Sequence, residues 1–193
     1  LRRRLVLAST SPYRRQLLER LHVPFEVANP RVDETAHPGE SPGALCLRLA
    51  IAKARAVAAE FPDALIVGSD QVAELDGRAL SKPGDHANAV AQLRAMRGRS
   101  IRFLTAVAVH DAAAGRTLSR VVPTEVAFRD YADAAIERYL AIDRPYDCAG
   151  SAKSESLGIA LIRSLHGDDP NALIGLPLIA LVDLLDEHGA PVL

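Results

Sequence analysis

Residues 100–128 read SIRFLTAVAVHDAAAGRTLSRVVPTEVAF. Two segments rich in β-forming residues, 100–110 and 117–128, flank a turn at Ala114-Gly115. Their length predicts a β-meander that crosses much of the molecule. Working upstream, residues 85–97 carry a helical pattern closed by Gly98, and 72–80 resemble a short hairpin turning at Asp76-Gly77. Residues 64–68 (ALIVG) read as a buried strand, and Leu45, Leu49, Ala52 and Ala56 recur at helical spacing in a segment opened by Ser41-Pro42 and ending near Glu60. The loop 29–42 is rich in proline, glycine and acidic residues. Before it come a strand at 24–28, a helix from Pro12 to about Leu21 capped by Ser11, and a buried strand at 5–8. Downstream, 133–142 reads as helix, 158–165 as strand with a turn at 166–168, and 176–188 as an amphipathic helix closed by Gly189. Strands and helices mix without strict βαβα alternation. The pattern predicts an α/β fold with one mixed β-sheet flanked by helices, not a doubly wound parallel sheet. With no internal repeat, low-complexity stretch or linker, residues 1–193 read as one domain, with two lobes around a cleft.

The bulk properties fit this. A chain of 193 residues with 49% hydrophobic content can bury one sizeable core. The formal net charge is −1, so no global positive field favours nucleic acid, and any anion site has to be built locally. Cys46 and Cys148 sit in no metal or CxxC spacing and read as buried free thiols of a reducing compartment. The basic start at residues 1–4 looks like the charged region of a signal peptide, but the apolar run at 5–8 is too short for its hydrophobic region. The apolar stretch 173–185 contains Pro177 and Asp183 and is too short to span a bilayer, so no membrane partner is expected.

Five constellations carry chemical interest. Ser9-Thr10-Ser11-Pro12-Tyr13-Arg14-Arg15 joins a strand to a helix N-terminus, where free amides and two forked guanidinium groups suit a phosphate. Gly68-Ser69-Asp70-Gln71 follows an apolar strand, and a carboxylate at a strand end can bind a divalent cation or take a proton from water. Lys82, in Ser81-Lys82-Pro83, offers a point charge. Asp33-Glu34 lies in the loop ahead of the helix that bears Lys53. Residues 147–158, DCAGSAKSESLG, are small and polar, as loops lining ligand sites often are. Taken singly, each also fits a capped helix, a turn or a solvated charge. Together they supply phosphate-binding cations and hard oxygen ligands. A Walker loop, a GxGxxG and a GxSxG elbow are all absent, and the six histidines are scattered and mostly superficial.

In the order LASTSPYRRQLL (7–18), VDET (32–35), AKA (52–54), IVGSDQV (66–72), KP (82–83), CAGSAKSE (148–155) and DPNALIGLPL (169–178), the sequence resembles the Maf family of nucleotide pyrophosphatases over essentially its whole length. The resemblance implies a Maf and ITPase-like fold, a cytoplasmic location and hydrolysis between the α- and β-phosphates with a divalent metal, magnesium or manganese. By matching, Asp70 is the catalytic carboxylate. Ser9, Arg14, Arg15, Lys53 and Lys82 hold the triphosphate, and Glu34 places the metal with Asp70. Gln71 and the CAGSxKSE block resemble the branch acting on 7-methyl-GTP, which assigns Tyr13, Gln71 and Glu155 to base selection. An aromatic face and a carboxylate suit the cationic 7-methylguanine. The sequence departs from that branch at Tyr13, Ala152 and Ser156, where tryptophan, an aromatic residue and glycine are common; the latter two bear on the shape of the base pocket. The expected partner is a small-molecule nucleotide and, at most, a second copy of the chain. The alternatives are a Maf enzyme with another or broader preference, such as dTTP or UTP, and a nucleotide-binding regulator of cell division with little turnover.

Overall fold

β1 (Leu5–Ala8) is buried at every position, because strands flank it on both edges and helices cover both its faces. The computed structural model to which it belongs describes residues 3–193; Leu1 and Arg2, half of the basic amino-terminal run, lie outside them. β1 pairs in parallel with β2 (Glu26–Ala28) and β3 (Leu65–Leu75). All other pairings are antiparallel, through β4 (Arg78–Leu80), β5 (Ser100–Asp111), β6 (Arg116–Phe128) and β7 (Ile162–His166). The order is β2-β1-β3-β5-β6-β7, with β4 alongside β3, so the sheet is mixed and seven-stranded.

Three helices start where the sequence supplies an oxygen cap. Ser11 accepts from the Arg14 amide ahead of α1 (Pro12–Glu19), Ser41 from the Ala44 amide ahead of α2 (Pro42–Ala56), and Asp85 from the Asn88 amide ahead of α3 (His86–Met96). α4 (Asp133–Asp143) and α5 (Leu178–Glu187) complete the set. One face of the sheet packs on α1 and α5 through Leu17, Leu18, Leu181 and Leu184. The other packs on α2 through Leu45, Leu49, Ala50 and Ala54. A third cluster, built on Phe103, Phe128, Leu93 and Tyr139, joins α3 and α4 to the far ends of β5 and β6. These clusters form two lobes, and β3, β5 and β6 run through both.

The structure corrects several expectations. The strand expected at 64–68 continues to Leu75 and makes one arm of the Asp76-Gly77 hairpin, so Asp70 lies in mid-strand and not at a strand end. Polar residues did not end the strand because each finds a partner: Ser69 and Gln71 on one face, Asp70 on the other. Residues 157–161 form a 3₁₀ turn, and the strand starts only at Ile162. There Asp143 captures the Gly158 amide and the Ser156 hydroxyl, which pulls this segment away from the sheet. Helix α2 stops at Ala56, short of Glu60. Cys46 is buried, but Cys148 is only half-buried at a cleft. The histidines are mostly superficial, as expected, with His22, His37, His86 and His166 exposed, while His110 is buried against Thr117 and His188 is half-buried against the Val109 carbonyl. Among the described residues no helix is long and apolar enough to cross a membrane.

Candidate active site

Gly68 decides how near α2 can come to β3. A Cβ there would lie 2.2 Å from the Ala50 carbonyl oxygen and 2.5 Å from the Ala54 amide nitrogen, so only glycine allows this approach. The approach carries Lys53, which neighbours Ala54 on α2, onto Asp70, two residues beyond Gly68. Lys53 Nζ lies 2.6 Å from Asp70 Oδ1 and 2.6 Å from Glu34 Oε1. Lys53 and Asp70 are both buried, at 4% and 7% exposure. One ammonium thus gathers two carboxylates from separate segments.

Glu34 reaches in from the irregular segment between β2 and α2. Arg48 of α2 pins that segment by donating to both oxygens of Glu40 and to the Thr35 carbonyl. Burial raises the Glu34 carboxyl, but Lys53, Lys82 and Arg14 outweigh it and hold the group below its ordinary value, so it stays ionised. Lys82, exposed just past β4, lies 3.7 Å from Glu34 Oε2.

The β1–α1 junction forms the adjoining wall. Buried Ser9 accepts from the Ser11 amide, and Arg14 donates through Nε to the Gly175 carbonyl at 2.8 Å. Burial lowers the Arg14 pKa, with Asp70 and Glu34 opposing, yet a guanidinium starts high enough to remain a cation. Its terminal nitrogens make no hydrogen bond to the described residues.

These groups line one cleft of about 360 Å³. It holds Ser9, Tyr13, Arg14, Glu34, Lys53, Asp70, Gln71, Lys82 and Glu155 from the sequence-derived set. Arg15 is the exception. Its side chain is 63% exposed, pairs with Glu19 one helical turn on, and faces away from the cleft. Adjacent positions on a helix point about 100° apart, so with Arg14 turned into the cleft Arg15 is turned out of it.

Tyr13 of α1 faces the segment that carries Lys153 and Glu155. Lys153, which the sequence reading quoted but gave no role, places Nζ 5.5 Å from the Tyr13 ring centre and 3.1 Å from the Asp143 carbonyl. Partial burial raises the Glu155 carboxyl, with Lys153 pulling it part of the way back. Arg31 and the turn at 173–175 also line the cleft. Arg31 stood unremarked in a loop with no periodicity, and the turn lay inside the quoted DPNALIGLPL block.

Among the described residues no three His, Cys, Asp or Glu side chains converge as a ready-made metal cage. Glu34 and Asp70 are nonetheless two hard carboxylates in the cleft that Ser9 and Arg14 also line. A magnesium-type ion takes one or two carboxylates, with waters and substrate phosphates completing its shell, so this donor set fits it.

Cations from three segments line this cleft beside two carboxylates, a set of groups that suits a polyanion. The chain belongs to the Maf family: it matches the Maf-like protein family over residues 4–188. A protein of Albidiferax ferrireducens named 7-methyl-GTP pyrophosphatase is 58% identical over 193 residues, covering 100% of this chain and 97% of that protein. Proteins of the same name from Polaromonas sp. and Methylobacillus flagellatus are 59% and 57% identical, covering 97% and 98% of this chain and 85% and 98% of theirs.

Proposed function

We propose that this chain, acting as one domain in the cytoplasm, is a nucleoside triphosphate pyrophosphatase that converts 7-methyl-GTP to 7-methyl-GMP and pyrophosphate. The observation that carries the chemistry is Lys53 holding Asp70 and Glu34 together in a cleft that Arg14 and Lys82 also line. The substrate follows from relatives of that name at 57–59% identity over nearly the full chain.

In this reading the triphosphate lies between Arg14, Lys53 and Lys82, with Ser9 at the β1–α1 junction. Spread negative charge is thereby neutralised before water approaches phosphorus. Glu34 and Asp70 would hold a magnesium or manganese ion, which would supply further neutralisation and polarise a bound water. Asp70 orients that water and accepts its proton through Oδ2, the oxygen that Lys53 does not engage. The new P–O bond forms at the α-phosphorus, the α–β bridge breaks, and pyrophosphate leaves with its charge still held by the lysines. Tyr13 offers a face to the base and Glu155 a carboxylate to its N–H edge, a pairing that favours a cationic purine.

A panel of 7-methyl-GTP, GTP, UTP and dTTP, assayed for pyrophosphate release with magnesium, tests the reading. The expected result is preferential release from 7-methyl-GTP. Release from none would make the chain a binder; release fastest from UTP or dTTP would overturn the base assignment.

A further inference from the structure

Gln71 lines the cleft, but its amide nitrogen is already spent. Nε2 lies 2.9 Å from the Leu173 carbonyl oxygen, 3.0 Å from that of Ala172 and 3.0 Å from Thr105 Oγ1. An amide nitrogen carries two protons, so three acceptors saturate it. Its orientation is fixed by the same network. Thr105 Oγ1 gives its own proton to the Ala172 carbonyl at 2.8 Å, so it can only accept from Gln71. A flipped amide would set Oε1 against two carbonyl oxygens.

The turn that Gln71 grips is held elsewhere too. Ser69 Oγ shares its one proton between the Ala106 carbonyl oxygen at 2.8 Å and the Gly175 carbonyl oxygen at 3.0 Å, Arg14 Nε donates to the same Gly175 oxygen at 2.8 Å, and Arg20 reaches the Asn171 side chain. Gly175 has φ +128°, a backbone angle that L-residues rarely adopt and that surrounding structure has to impose. Leu173, Ile174 and Gly175 form part of the cleft wall, whereas Thr105 and Ser69 are fully buried and do not reach it.

We propose that Gln71 is a positioning residue: it sets base selectivity by fixing the turn at 172–175 as a wall of the pocket, not by donating to the base. Thr105 and Ser69, which no nucleotide touches, then belong to the same selectivity device. The proposal rests on the reading of the cleft as a nucleotide site and deepens it.

The test compares kcat and KM for 7-methyl-GTP and GTP in the parent, Gln71→Leu, Thr105→Val and Ser69→Ala, with Thr105→Ser as the conservative control. Loss of either buried clamp should cut the 7-methyl-GTP to GTP ratio of kcat/KM about fivefold, mainly through KM, while Thr105→Ser keeps the parental ratio. Gln71→Leu should also speed hydrogen exchange at the Ile174 and Gly175 amides about tenfold without nucleotide present, a readout that survives should a clamp variant fail to fold. The proposal is overturned if Thr105→Val and Ser69→Ala keep the parental ratio while Gln71→Leu changes it, because Gln71 would then read the base directly. It is equally overturned if no variant moves the ratio, or if exchange at the turn is unchanged. A parent protein that cleaves neither nucleotide marks instead the failure of the functional reading itself.

Discussion

At the scale of the residue, the proposed chemistry turns on Asp70 keeping one oxygen on Lys53 and one for water. Asp70→Asn preserves shape and the Lys53 contact while removing the basic oxygen. We expect kcat to fall by about 10²- to 10⁴-fold with the affinity for a non-hydrolysable triphosphate analogue near parental. Pyrophosphate release and calorimetry check the two halves separately, and parental turnover would remove Asp70 from the role. Glu155→Ala should cut kcat/KM for 7-methyl-GTP by roughly tenfold or more, the worth of a hydrogen bond to a charged group, and leave UTP and dTTP little changed. Equal losses on every nucleotide would make Glu155 a structural residue. Because burial raises the Glu155 carboxyl, it gains its proton at a higher pH than a free glutamate does. The preference for 7-methyl-GTP should therefore weaken as pH falls through that raised value, and the pH dependence should vanish in Glu155→Ala. Much of this site was legible because each residue type suits one demand of a metal–polyphosphate. Arg15 was not, since a doubled arginine does not say which of the pair faces inward. The Thr105 and Ser69 clamps were not, since a buried hydroxyl in a strand looks like any small residue until its carbonyl partner, 37 to 106 positions away in sequence, is known.

At the scale of the element, α2 and β3 act as a pair closed by Gly68. Gly68→Ala must push the strand and the helix apart, because the atoms it meets are backbone and cannot rotate aside. We expect a loss of about 1–3 kcal/mol in denaturant unfolding, and a disproportionate loss of activity as Lys53 is drawn off Asp70. An unchanged midpoint would show that α2 can shift at no cost. The elements that sequence identified best were those whose ends carry their own chemistry. Ser11-Pro12 and Ser41-Pro42 start helices where expected, and the Asp76-Gly77 turn has positive φ at both residues, as a two-residue hairpin demands. The failures fall where tertiary partners override local pattern. β3 runs on through Ser69-Asp70-Gln71 because other segments satisfy those polar groups, and residues 158–161 leave strand geometry for the sake of Asp143.

At the scale of the whole molecule, the cleft lies between lobes that share their strands. β3 and β5 stay in register from Leu65–Asp111 in one lobe to Glu74–Arg102 in the other, and β5 and β6 pair along nearly their full lengths. Melting one lobe alone would fray the same strands whose other halves are buried in the second, breaking their ladder there and uncovering apolar surface that both lobes share. The two hydrophobic clusters over α1/α5 and α2 also share β1 and β3 as a common floor, so neither helix layer can leave without uncovering the sheet. Unfolding should therefore be one cooperative transition, with calorimetric and van't Hoff enthalpies in agreement. Magnesium together with a non-hydrolysable 7-methyl-GTP analogue should move that single transition upward as a unit, because a ligand seated in the cleft as proposed would touch both lobes and bind only the folded form. Two resolved transitions, with only one responding to ligand, would mean that the lobes fold independently and that the cleft is assembled by their docking.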